Sequence, residues 1–111
     1  MQMNVQHRDG VTVLAPKGKI TIGAGDVALR EAIGNALEAG ATKILINLRD
    51  VTTADSSGIG EMVSAYTTVT KAGGKLKLCE LPHKVTDVLQ ITQLITIFDI
   101  FDTEDEAIES F

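Results

Sequence analysis

The chain is poor in the residues that most catalytic and metal sites need. Among its 111 residues there is one cysteine and there are only two histidines. The lone Cys79 excludes an internal disulfide and fits a reducing compartment, so a cytoplasmic protein is expected. One cysteine and two distant histidines, His7 and His83, make no metal-ligand cluster, and Asp50 with Asp55 alone would be a poor oxygen site; no metal is expected. No apolar run approaches the about 20 residues of a membrane span. Met1-Gln2-Met3-Asn4 leads into a polar segment without an apolar core, so no signal peptide is expected. Positive charge is also scarce. The formal net charge is −5 and no Lys or Arg follows Lys84, which argues against nucleic acid, because phosphate contacts need clustered basic residues. The acidic end, from Asp87 to Glu109, reads as a solvated surface or as one that steers a basic partner.

What is present is an ordinary globular composition, 44% apolar and 23% charged, with no internal repeat and no low-complexity linker. One domain over residues 1–111 is expected, with a single modest core. Met3 to Gln6 reads as a strand, Asp9-Gly10 as a hairpin turn, and Val11 to Ala15 as the return strand. Pro16 argues against a central strand position beyond it. Lys19 to Ile22 is a brief extended piece, broken by Gly23-Ala24-Gly25. Asp26 is placed to N-cap a helix over 27–39, whose apolar stripe is Leu29, Ala32, Ile33, Ala36 and Leu37. Gly40 closes that helix. Lys43 to Leu48 is near-continuously aliphatic, as a strand buried on both faces would be.

A turn then leads directly into a second helix over about 57–71, stopped by Gly73-Gly74. Lys75 to Cys79 alternates like a half-exposed or edge strand. Pro82 opens a third helix over 83–91, and extended structure returns at about 97–101. Thr103-Glu104-Asp105-Glu106 matches a capping box for a short last helix. Alternating strands and helices imply right-handed crossovers, so the fold class is α/β: a mixed, mainly parallel sheet with an N-terminal hairpin and about four helices.

The stretch that bears on function is Asp55-Ser56-Ser57-Gly58-Ile59-Gly60, where the aliphatic strand hands over to the second helix. Ligands meet α/β proteins at such places, and a helix start offers unpaired N–H groups to an anion. A catalytic serine would need a base and a group to orient it. The turn is not Gly-x-Ser-x-Gly, since Ala54 stands where the first glycine belongs, and His7 and His83 read as surface residues. A phosphate-binding loop lacks its lysine and its full glycine pattern, and no basic residue lies between Arg49 and Lys71. Helix capping alone accounts for an Asp, a Ser or a Gly here; two serines and an acid exceed one cap. An exposed serine at a helix start is also a target for a kinase.

Asp55-Ser56-Ser57-Gly58-Ile59-Gly60, behind Ile44-Leu45-Ile46-Asn47-Leu48-Arg49-Asp50-Val51, resembles the signature of STAS-domain anti-sigma factor antagonists, the bacterial anti-anti-sigma factors. The resemblance extends to Gly18-Lys19-Ile20, the Gly73-Gly74 turn, the Leu76–Cys79 strand and Pro82. It implies a single STAS domain that is not an enzyme and carries no cofactor. It implies that Ser56 is a phosphoacceptor and that the unmodified protein binds an anti-sigma factor that is also a serine kinase, freeing a sigma factor for transcription. The kinase, which binds ATP and Mg²⁺, would phosphorylate Ser56 and lose its grip, and a serine phosphatase would reset this partner switching. Asp55, Ser56, Ser57, Gly58 and Ile59 would form the contact surface, with Thr21 and Asp26 from the loop before the first helix. The chain departs from the pattern there: Thr21 stands where many such antagonists carry an aspartate, and Asp26 would substitute from a longer loop. The alternative is a STAS protein–protein adaptor in a signalling or transport assembly with no phosphorylation cycle.

Overall fold

The computed structural model describes residues 2–111, with Ala24 described in its backbone only. Strand β1 (Gln2–Arg8) turns at Asp9-Gly10, both at positive φ, into β2 (Val11–Ile20), and the two pair antiparallel from Gln2↔Lys17 to Arg8↔Val11. Helix α1 (Ala24–Glu38) follows, then β3 (Lys43–Asn47), β4 (Val51–Ala54), α2 (Ser56–Lys71), β5 (Lys75–Cys79), α3 (His83–Ile91), one turn of 3-10 helix at Leu94–Thr96, β6 (Asp99–Phe101) and α4 (Glu104–Glu109). The sheet runs β1-β2-β3-β5-β6, with β4 beside the far half of β2. All pairings except the hairpin are parallel.

The sheet is covered on both faces. On one, Leu14, Ile44, Ile46, Leu76 and Leu78 meet Leu29 and Ile33 of α1, Ile59, Met62 and Val69 of α2, and Val85 and Leu89 of α3. On the other, Val11, Val13, Leu45 and Cys79 meet Ala107 and Ile108 of α4. The aliphatic run of β3 follows directly, because period-2 side chains must be apolar on both sides of a strand buried on both sides. Burial also pushes the Cys79 thiol up to about 12, with Glu80 and Glu104 adding to the shift, so the thiolate is suppressed and the side chain serves as core.

Four expectations need correction. β2 does not stop at Ala15. It passes through Pro16, which pairs with Met3 on the hairpin side, while the ladder to β3 covers only Thr12–Leu14. A missing N–H is tolerated where no second neighbour needs it. The extension from Gly18 to Ile20 then pairs with β4, a strand that the reading of a direct turn into the second helix omits. Helix α1 starts at Ala24, so Asp26 lies in its first turn and the cap position is Gly23, without a side-chain cap. Finally, β5 is not an edge: it sits between β3 and β6.

Lys77 of β5 is only 7% exposed. Its Nζ donates to the Ser110 carbonyl and hydroxyl, both at 2.9 Å, and lies 4.8 Å from the Phe111 ring centroid. The ammonium thus reaches polar atoms at the end of α4 while its stem fills the core. Lys77→Met, which keeps the stem, is expected to cost less than about 1.5 kcal/mol, whereas Lys77→Ala is expected to cost about 2 kcal/mol or more through the cavity it leaves. Urea denaturation of both variants measures the difference.

Candidate functional site

The C-terminal end of β2 brings two helix starts together. A Cβ on Gly58 would lie 1.9 Å from the Ile20 carbonyl oxygen, and one on Gly25 would lie 2.4 Å from the Lys19 carbonyl oxygen. Both contacts are far inside van der Waals range, so α2 and α1 approach this strand end as closely as they do only because both positions are glycine. The Asp55 amide also donates to the Ile20 carbonyl, at 3.3 Å.

Asp55 caps α2. Its backbone is extended, and Oδ1 accepts the Gly58 amide at 2.9 Å. The second oxygen, Oδ2, accepts the Ile22 amide at 3.1 Å. One carboxylate therefore ties the β2–α1 loop to the head of α2. These amides, Gly58 first and Ile22 second, hold the Asp55 carboxyl below the ordinary carboxylate range, because they bond the charged form.

Helix α2 starts at Ser56, one residue before the expected 57, and Ser56 is exposed as its first residue while Ser57 is half-buried. The first intrahelical bond runs from Ile59 N to Asp55 O at 3.0 Å. With Gly58 N taken by the cap, the Ser56 and Ser57 amides are the remaining donors of the first turn. Ile59, expected at the contact surface, is 2% exposed and packs in the core. Gly58 is buried as well. Neither offers side-chain surface; both shape the turn from beneath.

Thr21 and Asp26 do lie on the adjoining loop and helix start. The link is three residues, Thr21 to Gly23, not the longer loop expected, and Asp26 N closes it onto the Thr21 carbonyl at 3.1 Å. Asp26 Oδ1 is buried and has no hydrogen-bond partner among the described residues. Ile22, which sequence reasoning missed as a contact residue, is 76% exposed although its own amide is bonded to Asp55. An isoleucine in a short glycine-flanked loop was the available signal. On the next turns, Arg30 of α1 grips Glu61 of α2 through Nε and Nη2 at 3.3 and 3.2 Å, which raises the arginine pKa. His7 and His83 are both exposed, and His83 faces Asp87 at 3.5 Å. Among the described residues no group of three or more His, Cys, Asp or Glu side chains is placed to hold a metal ion.

The STAS domain model matches residues 2–107. The anti-sigma-B factor antagonist of Bacillus subtilis is 39% identical over 83 residues, which cover 75% of this chain and 74% of that protein. The anti-sigma F factor antagonist of Paenibacillus polymyxa is 25% identical over 109 residues, 97% of this chain and 92% of that one. The crystal structure of a Thermotoga maritima protein provisionally described as an anti-sigma factor antagonist superposes with a TM-score of 0.88 at 29% identity, covering 97% of this chain and 92% of that one.

Two outcomes follow from the turn. The Gly58 and Ile22 amide resonances are expected to titrate together, with a midpoint below the ordinary aspartate value of about 3.9. The sign is that of a depressed carboxylate: the contribution is fully present above the unfolded value and is lost as pH falls through the folded one. Separate midpoints, or a shared one above 4, would contradict the shared carboxylate. Gly58→Ala is expected to cost about 3 kcal/mol or more, because backbone, not a flexible side chain, must move; thermal unfolding measures it.

Proposed function

The chain belongs to the STAS domain family, to its anti-sigma factor antagonists, and we propose that it is a partner switch acting in the cytoplasm, with Ser56 as the phosphoacceptor. Unmodified, it binds an anti-sigma factor that is also a serine kinase and so releases a sigma factor. Phosphorylation of Ser56 by that kinase, which binds the ATP and Mg²⁺, ends the complex, and a serine phosphatase restores it. The observation that carries this reading is the exposed hydroxyl of Ser56 on the first residue of α2, held there by the Asp55 cap, in a chain with antagonist relatives over most of its length.

The chemistry asked of this chain is small, and it supplies a substrate and a docking surface. The Ser56 hydroxyl attacks the γ-phosphorus of the kinase-bound ATP, the bond to the bridging oxygen breaks and ADP leaves, and the hydroxyl proton passes to the kinase. Asp55, with both oxygens committed to Gly58 and Ile22, positions the turn and is poorly placed to act as a base. The contact surface is Ser56 and Ser57 with Thr21, the exposed Ile22 and the half-buried Asp26. The added phosphate brings a charge of about −1.5 to −2. The Ser56 amide and the helix dipole stabilise it, so the domain stays folded. The complex does not survive, because bulk and desolvated like charge act at the interface; about 2.8 kcal/mol is a hundredfold in affinity.

Incubation with the anti-sigma factor kinase, ATP and Mg²⁺ is expected to add the mass of one phosphate, and Ser56→Ala to abolish it. Stable complexes without any phosphate on the wild-type chain would instead mark a STAS adaptor. Ser56→Glu is expected to keep the melting temperature and to weaken kinase binding at least tenfold, and Ile22→Asp to weaken it about tenfold, or about 1.4 kcal/mol. Titration calorimetry with the kinase reads both; wild-type affinity in Ser56→Glu would sink the switch.

A further inference from the structure

Away from Ser56, a groove of about 610 Å³ opens between the N-terminal hairpin and α1. It arises from a mismatch. The side chains of Met3, Val5 and Thr12 lie on the hairpin face that α1 should cover, yet the helix presents Ala28, Ala32, Ala36 and Ala39 there. Alanines do not reach the strand, and Val5 is left 48% exposed. The volume falls in the range of small-molecule sites, and the combination of apolar walls with a few converging polar groups is theirs too.

The polar groups are graded along the groove. At the apolar end stand Met3, Leu14 and Ala28. At the other, His7 and Thr12 are direct cross-strand partners, opposite Asn35, with Glu31 one helical turn before it. Thr12 is only 6% exposed and lines the groove. The only formal charge fixed at neutral pH on this lining is the carboxylate of Glu31, on a chain of net charge −5. An anionic head group is therefore disfavoured and a cationic one favoured.

We propose that this groove is a binding site for a small amphiphilic amine, its apolar body between Met3, Leu14 and Ala28 and its ammonium group against Glu31, Asn35 and Thr12. The site is separate from the Ser56 turn, so it stands or falls independently of the phosphorylation reading. A ligand here would wedge against α1, whose opposite flank carries the Arg30–Glu61 pair to α2.

The test is amide NMR of the full chain titrated with n-octylammonium, with octanoate as the matched anion. Saturable shifts at Val5, Thr12, Ala32 and Ala36, at least tenfold weaker for octanoate, are expected. Ala32→Leu fills the groove and should abolish them; Ala28→Leu, at a half-buried position on the rim, does the same should the first variant fail to fold. Glu31→Gln should remove most of the preference for the amine over octanoate. The proposal is overturned by no saturable shift, by shifts that survive both leucine variants, or by equal response to octanoate. It is also overturned if the same resonances move with protein concentration alone, which would place a second copy in the groove.

Discussion

The close approach of two helix starts to one strand end organises this molecule. The Ile20 carbonyl accepts the Asp55 amide and leaves no room for a side chain at position 58, while Gly25 is held to the same standard by the Lys19 carbonyl. Helix α2 therefore starts on the last residue of β2, and α1 starts beside it. Everything placed at the surface there follows: Ser56 because it is the first residue of α2, and Ile22 because the Asp55 carboxylate holds its amide and turns its side chain outward. A rigid scaffold beneath and a three-residue loop on top are what a partner needs if it is to recognise a small polar patch with little ordering cost.

Much of this was legible where one local rule decides the outcome. The near-continuous aliphatic run of 43–48 reads as a strand buried on both faces, and α4, on the far face, is the element that makes it so. Asp55 before Ser56-Ser57-Gly58 reads as a cap on conformational grounds, and it is one. Thr103 likewise accepts the Glu106 amide at 3.2 Å. The readings that failed are those where a tertiary neighbour overrides the local rule. Pro16 does not end β2, because only β1 lies beside it there. Val51–Ala54 is too short and too polar to announce itself, and becomes a strand only because Gly18–Ile20 offers a partner. Lys77 looks like a solvent residue on an edge, yet the end of α4 folds over it and supplies both an acceptor and an aromatic face.

The site itself divides in the same way. The placing of Asp55, Ser56 and Ser57 at a helix start could be read from the local residues, since capping depends on them alone, whereas the role of Ser56 came only with the family resemblance. Which of the neighbours face outward could not be read. Ile59 and Ile22 are the same amino acid and both donate their amides to Asp55, one to its carbonyl and one to its carboxylate, yet they take opposite roles. Ile59 lies on the apolar stripe of α2 and is buried, whereas Ile22 has its backbone satisfied by a side chain from another element. Helical spacing accounts for Ile59, but no periodicity encodes the 33-residue contact that fixes Ile22.

This arrangement also explains how a charge at Ser56 can matter greatly to a partner and little to the fold. The core begins one residue beneath the turn, at Gly58 and Ile59, and does not extend to the hydroxyl of Ser56. A phosphate there would meet the Ser56 amide and a favourable dipole on the protein side, and one carboxylate whose charge is already compensated in part by the amides bonded to it. Its unfavourable interactions would therefore be displaced outward, onto whatever surface is pressed against the turn. The proposed switch requires that asymmetry, and the glycine at 58 creates it by bringing the helix start to the sheet while leaving the serine outside.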